Sequence, residues 1–246
     1  MSFDKRLAFR GIRALYGNEI FEKLQNTHVT VLGVGGVGSW CAEALCRTAV
    51  GKLTIIDFDT IEITNLNRQL HTTTKTVGSY KADVLSSRLL EINPEIELDV
   101  IKTQMTPDNI DEIMKDRCDY VCDCIDDIEA KAYVCNYLFK KGSTFIVSGG
   151  AGGRIDPTLL KIGDVGTANG DALISKLRTK LKKEYGFVGS GQKFKIACTF
   201  SNEKPIYSSK EEYLSGEFPA FGASMSVTAS AGLLISSWML KQITGM

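Results

Sequence analysis

The stretch VTVLGVGGVGSWCAEAL, residues 29–45, constrains this chain more than any other. Its apolar start predicts a strand over 28–33, its glycines a tight turn, and residues 37–48 a helix. Glycines at 33, 35 and 38 between strand and helix let the backbone approach a phosphate and aim the first helical N–H groups at it. Gly33, Gly35, Gly36 and Gly38 are therefore candidate nucleotide contacts. Asp57 ends the next apolar run, where a carboxylate can accept hydrogen bonds from ribose hydroxyls. On these features alone a nicotinamide dinucleotide is the default ligand.

The same alternation continues. Strands are expected at 28–33, 53–57, 96–101, 118–124 and 144–148, and helices at 37–48, 79–92, 107–115 and 128–141, with Thr106 and Pro107 opening the third of these. Such a pattern predicts an α/β fold with a Rossmann-like, doubly wound, mostly parallel sheet. Ahead of it, Phe9, Ile12, Leu15 and Tyr16, then Ile20, Phe21 and Leu24 after Gly17, have helical spacing. Past residue 150 the regularity fails. A loop–strand–loop is expected within 149–166, a helix at 171–185 begun by Asn169 or Asp171, short strands at 193–200 and 204–208, and a last helix at 219–243. The chain reads as one domain over 1–246, with a nucleotide-binding core at about 28–150 and an irregular, substrate-facing C-terminal extension at about 151–246.

Composition narrows the setting. Lys+Arg and Asp+Glu number 29 each, so a nucleic-acid surface would have to be local. Seven cysteines mostly in apolar runs, without paired CxxC elements, fit reduced thiols in the cytoplasm and no structural zinc. Cys118, Cys122 and Cys124 read as strand residues. No secretory h-region opens the chain, and 221–240, though uncharged, is dominated by small and hydroxylated residues. That segment reads as a close-packed helix, not a membrane span.

The residues after the turn shift the ligand from dinucleotide to ATP. Asp57 and Asp59 lie two apart at a strand end, placed for ribose or a cation. Asn65, Asn67 and Arg68 follow in a loop, and Lys81 opens the next helix. Arg68 and Lys81 suit the charge that builds on phosphates when an α-phosphorus is attacked, a charge that hydride transfer never creates. Asp126 follows the strand ending at 124, where open α/β sheets place ligands, and a carboxylate there can hold Mg²⁺ against phosphate oxygens.

The run GVGGVGSWCAEALCRTAVGKLTIIDFDTIEITNLNRQ resembles the ubiquitin-activating (E1-like) adenylyltransferase superfamily. By matching position the resemblance implies ATP contacts from Gly35 and Gly36, ribose contact by Asp57, phosphate contacts from Asn67, Arg68 and Lys81, and an Mg²⁺-related role for Asp126. Arg13, in FRGIRALYG, matches an arginine that reaches the partner subunit's site in that superfamily, which implies a homodimer.

Within the superfamily, SGGAGGRIDPT (148–158), DALISKLRTKLKKEYG (171–186) and PAFGASMSVTAS (219–230) resemble the tRNA threonylcarbamoyladenosine dehydratase branch. The implied reaction is ATP-dependent cyclisation of N6-threonylcarbamoyladenosine at position 37, beside the anticodon of ANN-decoding tRNAs. Ring closure by a tethered nucleophile needs no enzyme thiol. Cys198 accordingly reads as a buried strand thiol, with a thioester role as the alternative. Activation of a ubiquitin-like sulfur-carrier protein is the rival function, and a non-enzymatic ATP-responsive RNA-binding protein a second rival. Lys176, Arg178, Lys180, Lys182 and Lys183 put five cations within eight residues of one amphipathic helix, a candidate tRNA-binding face that Lys193 and Lys195 extend. The loop at 149–156 is a candidate monovalent-cation site, and a sulfur-transfer (cysteine desulfurase) system is a candidate partner. His28 and His71 read as structural.

Overall fold

The computed structural model describes residues 3–189 and 191–246. Its strands are β1 (His28–Leu32), β2 (Lys52–Ile56), β3 (Glu97–Ile101), β4 (Tyr120–Asp123), β5 (Thr144–Ser148), β6 (Leu160–Asp164) and β7 (Ala197–Ser201). The helices are α1 (Lys5–Ala8), α2 (Arg10–Gln25), α3 (Gly38–Arg47), α4 (Lys81–Ile92), α5 (Ile110–Ile113), α6 (Ile128–Lys141), α7 (Ala172–Tyr185), α8 (Lys210–Leu214) and α9 (Met225–Thr244).

One seven-stranded sheet runs in the order β3-β2-β1-β4-β5-β7-β6, parallel throughout except for the antiparallel β6–β7 pair. Its central strands are apolar on both faces, as parallel strands covered by helices must be. Val29, Val31, Leu53, Ile55, Cys122 and Ile146 point into one core beneath α3, α4 and α9. Val121, Phe145 and Val147 point into the other, where α6 and α7 bring Cys135, Leu138, Ile174, Leu177 and Leu181. The doubly wound α/β expectation holds.

Helix α9 explains the small-residue run near the end. A Cβ on Gly232 would stand 2.4 Å from the Val37 carbonyl oxygen, so α9 lies directly on the first turn of α3. Among the described residues no helix is long and apolar enough to cross a membrane.

Five sequence expectations need correction. The last helix, expected from 219, opens at Met225, and the strand expected at 193–200 forms only over Ala197–Ser201. The helix expected at 107–115 shrinks to Ile110–Ile113, because the Asn109 side chain accepts from Thr106 N at 2.7 Å and turns the chain before helix can begin. The strand expected at 204–208 is extended but unpaired in the sheet; its backbone bonds instead to Gly153 and Ala220 in neighbouring loops. Helix α2 breaks at Gly17 (φ +83°), as its spacing suggested, but Leu15 is exposed and not on the buried face.

Candidate active site

Strand order turns back between β1 and β4, and the crevice beyond their C-terminal ends is where an open α/β sheet receives its ligand. Leu32 pairs in register with both Ile56 and Asp123, and Asp123 with Val147, so four strands end level and deliver their loops to one edge.

The glycine turn leaves β1 at Gly33, whose φ of +74° is closed to most side chains. A Cβ on Gly38 would fall 1.8 Å from the Gly33 carbonyl oxygen, so only glycine lets the helix start this close to the strand. Asp57 then fixes the turn from the neighbouring strand. Its Oδ2 accepts from Val34 N at 2.7 Å and its Oδ1 from Asp59 N at 2.9 Å. Burial pushes this carboxyl up from its ordinary range, against the downward pull of those two N–H groups.

The loop after β2 folds back over the turn. Ser39 donates to Gly35 O at 2.7 Å, Trp40 Nε1 donates to Arg68 O at 3.1 Å, and a Cβ on Gly36 would meet Arg68 Cγ at 3.2 Å. The Arg68 guanidinium donates to Thr64 O (2.9 Å) and Asn67 Oδ1 (3.0 Å), while Asn67 Nδ2 donates to Ala223 O at 2.7 Å. Lys81, at the start of α4 and nearly buried, pairs with Asp59 at 2.6 Å. On the other side of the turn runs the segment after β4. A Cβ on Gly33 would meet Cys124 O at 3.1 Å, and Asp126 lies exposed two residues on.

Gly33, Gly35, Gly36, Gly38, Asp57, Asp59, Asn67, Arg68, Lys81 and Asp126 thus share one edge. Asn65 does not present its side chain there: it is buried, and its Oδ1 accepts from Glu62 N at 3.0 Å, closing the loop on itself. Arg13 makes its contacts within α2, donating to Asn18 Oδ1 at 3.1 and 2.8 Å and standing 5.8 Å from the Phe21 ring centroid.

The five cations of α7 are unequal. Lys176 and Lys183 are exposed. Arg178 faces inward, donating to Val165 O at 2.7 Å and to Ala168 O. Lys180 is shared between Glu129 (2.6 Å) and Glu184 (2.7 Å), and Lys182 lies over Phe194. The helix starts at the active edge, where Asp171 caps it and accepts from Gly150 N, and runs away towards Phe194.

Residues that the sequence reading passed over, or read as structural in the case of His71 and as a helix start in the case of Asp171, also gather here. Gln69, His71 and Thr72 are buried with side-chain atoms that find no hydrogen-bond partner among the described residues. Burial, reinforced by the charge of Lys81, pushes His71 down to about 4, so its ring is neutral at pH 7. Behind the Asp126 segment, Lys131 and Asp123 form a fully buried pair at 3.0 Å, and Asp123 also accepts from Ile125 N. Arg154 and Asp171 form a second buried pair at 3.0 Å under the loop at 149–154. The sequence signal for the Lys131–Asp123 pair was polarity inside otherwise apolar runs, as at Asp123 in YVCDCI. Cys198 is buried in β7 with its thiol pushed up to about 12 by burial, leaving no thiolate at neutral pH.

Comparison with known proteins places this geometry. The ThiF family model matches residues 9–246. The tRNA threonylcarbamoyladenosine dehydratase of Escherichia coli is 37% identical over 97% of this chain and 94% of its own. That of Bacillus subtilis is 40% identical over 77% of this chain and 72% of its own. A crystal structure of the E. coli enzyme, TcdA, in complex with ATP superposes with a TM-score of 0.91 at 38% identity, covering 100% of this chain and 98% of that one. This chain belongs to the ThiF family, in its tRNA threonylcarbamoyladenosine dehydratase branch.

Proposed function

We propose that this protein dehydrates N6-threonylcarbamoyladenosine in tRNA in an ATP-dependent reaction. The observation that carries the reading is the loop bearing Arg68 laid over Gly36, with Lys81 behind it. Two cations there rim a turn of backbone built for phosphate. Similarity to the E. coli dehydratase over nearly the full length of both chains favours this substrate over a sulfur-carrier protein.

The threonyl carboxylate attacks the α-phosphorus of ATP, pyrophosphate leaves, and an acyl-adenylate results. The carbamoyl nitrogen then attacks the activated carbonyl, the ring closes and AMP departs with the oxygen that the substrate loses as water. Arg68 and Lys81 stabilise charge on the phosphates in the first step. Gly35 and Gly36 offer backbone contacts to them, Asp57 and Asp59 sit at the ribose side, and Asn67 orients Arg68. The second step is intramolecular and needs no thiolate, and the neighbouring Cys41 together with burial holds the Cys124 thiol above its ordinary range.

Asp126 is the hard oxygen ligand placed to hold Mg²⁺, which when bound screens phosphate charge. Among the described residues no group of three or more His, Cys, Asp or Glu gathers for a metal, so phosphate oxygens would complete its coordination. A monovalent cation at 149–156 would join a loop already pinned by Thr199 O and Asp171. Exposed Leu15, two residues from Arg13 on α2, supports a homodimer in which α2 meets the partner. Lys176 and Lys183 are the open tRNA contacts of α7. The sharing of one sheet by β1–β7 supports a single domain, with its core at about 28–150 and its extension at about 151–246. Free cysteines fit the reducing cytoplasm.

The test is a mass-spectrometric nucleoside digest of threonylcarbamoyladenosine-containing tRNA after incubation with the protein, with and without ATP and Mg²⁺. ATP-dependent loss of one water from that nucleoside is the expected result. ATP binding with no loss of water would return the function to the sulfur-carrier reading.

A further inference from the structure

The segment after β7 crosses back over the active edge, and it carries two aromatic rings that the fold holds in place without covering. Tyr207 is 61% exposed and Phe221 47%. Their centroids lie 6.1 Å apart in an edge-to-face arrangement. Exposed aromatic side chains on an irregular segment ordinarily sample many positions, but the backbone here is tied. Ile206 N donates to Gly153 O at 2.7 Å, Gly153 N to Gly222 O at 2.7 Å, and Ser208 N to Ala220 O at 3.0 Å. Phe221 rests so closely on the chain at Gly152 that a Cβ there would come within 2.2 Å of its ring.

The position of the pair matters as much as its rigidity. Two residues beyond Phe221, Ala223 O receives the Asn67 side chain, whose neighbour Arg68 covers Gly36. On the other flank, the loop at 149–154 rises from the end of β5, next to β4 and Asp126. The rings therefore rim the crevice on its substrate side, contiguous with the nucleotide loop. An RNA loop is recognised by splaying its bases onto aromatic faces, and a ring fixed in advance loses little entropy on receiving one.

We propose that Tyr207 and Phe221 form a stacking platform for a nucleobase of the tRNA anticodon loop, setting the modified adenosine over the glycine turn. This rests on the dehydratase reading and adds the residues that read the nucleic acid. Base–aromatic stacking lost to alanine weakens binding by about 5- to 150-fold.

Steady-state kinetics on threonylcarbamoyladenosine-containing tRNA, with ATP affinity measured separately on each variant, test it. Tyr207→Ala and Phe221→Ala should each raise the KM for tRNA at least fivefold and leave the ATP Kd within twofold. Tyr207→Phe should restore the KM, whereas Phe221→Leu, which keeps packing on Gly152, should not. An unchanged KM, a parallel loss of ATP affinity, or rescue by Phe221→Leu would overturn the platform. A parallel binding titration uses an anticodon stem-loop containing 2-aminopurine beside position 37. Quenching by the unmutated protein that Tyr207→Ala abolishes supports the platform even if no dehydration occurs, and the absence of quenching counts against it. Absence of turnover by the unmutated protein, by contrast, counts against the dehydratase reading alone.

Discussion

Asp57 reaches across from β2 to accept a hydrogen bond from Val34 N, at 2.7 Å, inside the glycine turn. A residue expected to face ribose is also a brace for the phosphate turn. Asp57→Ala leaves Val34 N and Asp59 N without their acceptor, which costs about 1–3 kcal/mol for buried donors. The expected result is a weaker ATP affinity together with a lowered denaturation midpoint. A variant that loses affinity at undiminished stability would assign Asp57 to the nucleotide alone.

Arg68 and Lys81 stand differently. The Arg68 guanidinium bonds, among the described residues, to Thr64 and Asn67 of its own loop, and the partner of Lys81, Asp59, is half exposed. Removing either cation should spare the fold. Arg68→Ala and Lys81→Ala are each expected to reduce kcat by about a hundredfold or more, the usual effect of removing a charge-stabilising group. Circular dichroism should stay unchanged. Near-normal turnover in either variant would remove that residue from the site.

The buried pair behind Asp126 should show the opposite signature. Lys131→Met leaves the fully buried Asp123 carboxyl without its partner cation, and breaking such a pair costs about 3–5 kcal/mol. Urea denaturation should report it as a fall in midpoint, and Asp123→Asn in the same chain should recover part of the loss. A midpoint that does not move would show that water reaches Asp123.

His71 gives a pH dependence of stability. Its ring titrates near 4 in the folded protein and near 6.5 when unfolded, so between those values the unfolded chain holds more protons. Stability contributed by the neutral ring is complete above about pH 6.5 and drains away as pH falls towards 4. The whole effect is on the order of 3 kcal/mol. His71→Gln should flatten this part of the profile in thermal melts from pH 7 to 4. An equally steep profile in the variant would trace the slope to other groups.

On α7, Lys176→Glu with Lys183→Glu should raise the KM for tRNA. The salt dependence of binding should become shallower, by roughly one unit of log–log slope for each phosphate no longer neutralised. Arg178→Ala should act on stability first, since its guanidinium serves Val165 O and Ala168 O. Unchanged tRNA binding in the double glutamate variant would take α7 out of the interface.

Much of the fold was legible because its signals are local. The runs at β1, β2 and β5 are apolar on both faces, and the glycine spacing carries its own geometry. The same holds for the phosphate-side residues, which follow the turn within one unbroken stretch. Contacts between distant segments were not legible. Nothing in the spacing of Arg178 or Lys180 reveals that Val165 O and Glu129 lie opposite, so five cations on one helix read as one surface when two of them are internal ties. Asn65 looked like a ligand because it sits among ligands, although its side chain closes its own loop. At 204–208, Ile206 and Tyr207 have strand propensity, but propensity without a neighbouring strand to pair with yields only an extended strap.

Helix α9 carries a consequence for how the protein is made. Gly232 presses on Val37 O, at the very start of α3, so the wall behind the phosphate turn is supplied by an element translated after all seven strands. A nascent chain that has emerged only as far as β7 has every ligand named for ATP except the support that sets their spacing. Competence to bind nucleotide should therefore arrive late in synthesis. Chains ended before Met225 should bind ATP at least tenfold more weakly than the whole protein, and equal affinity would show that the turn holds its shape unaided.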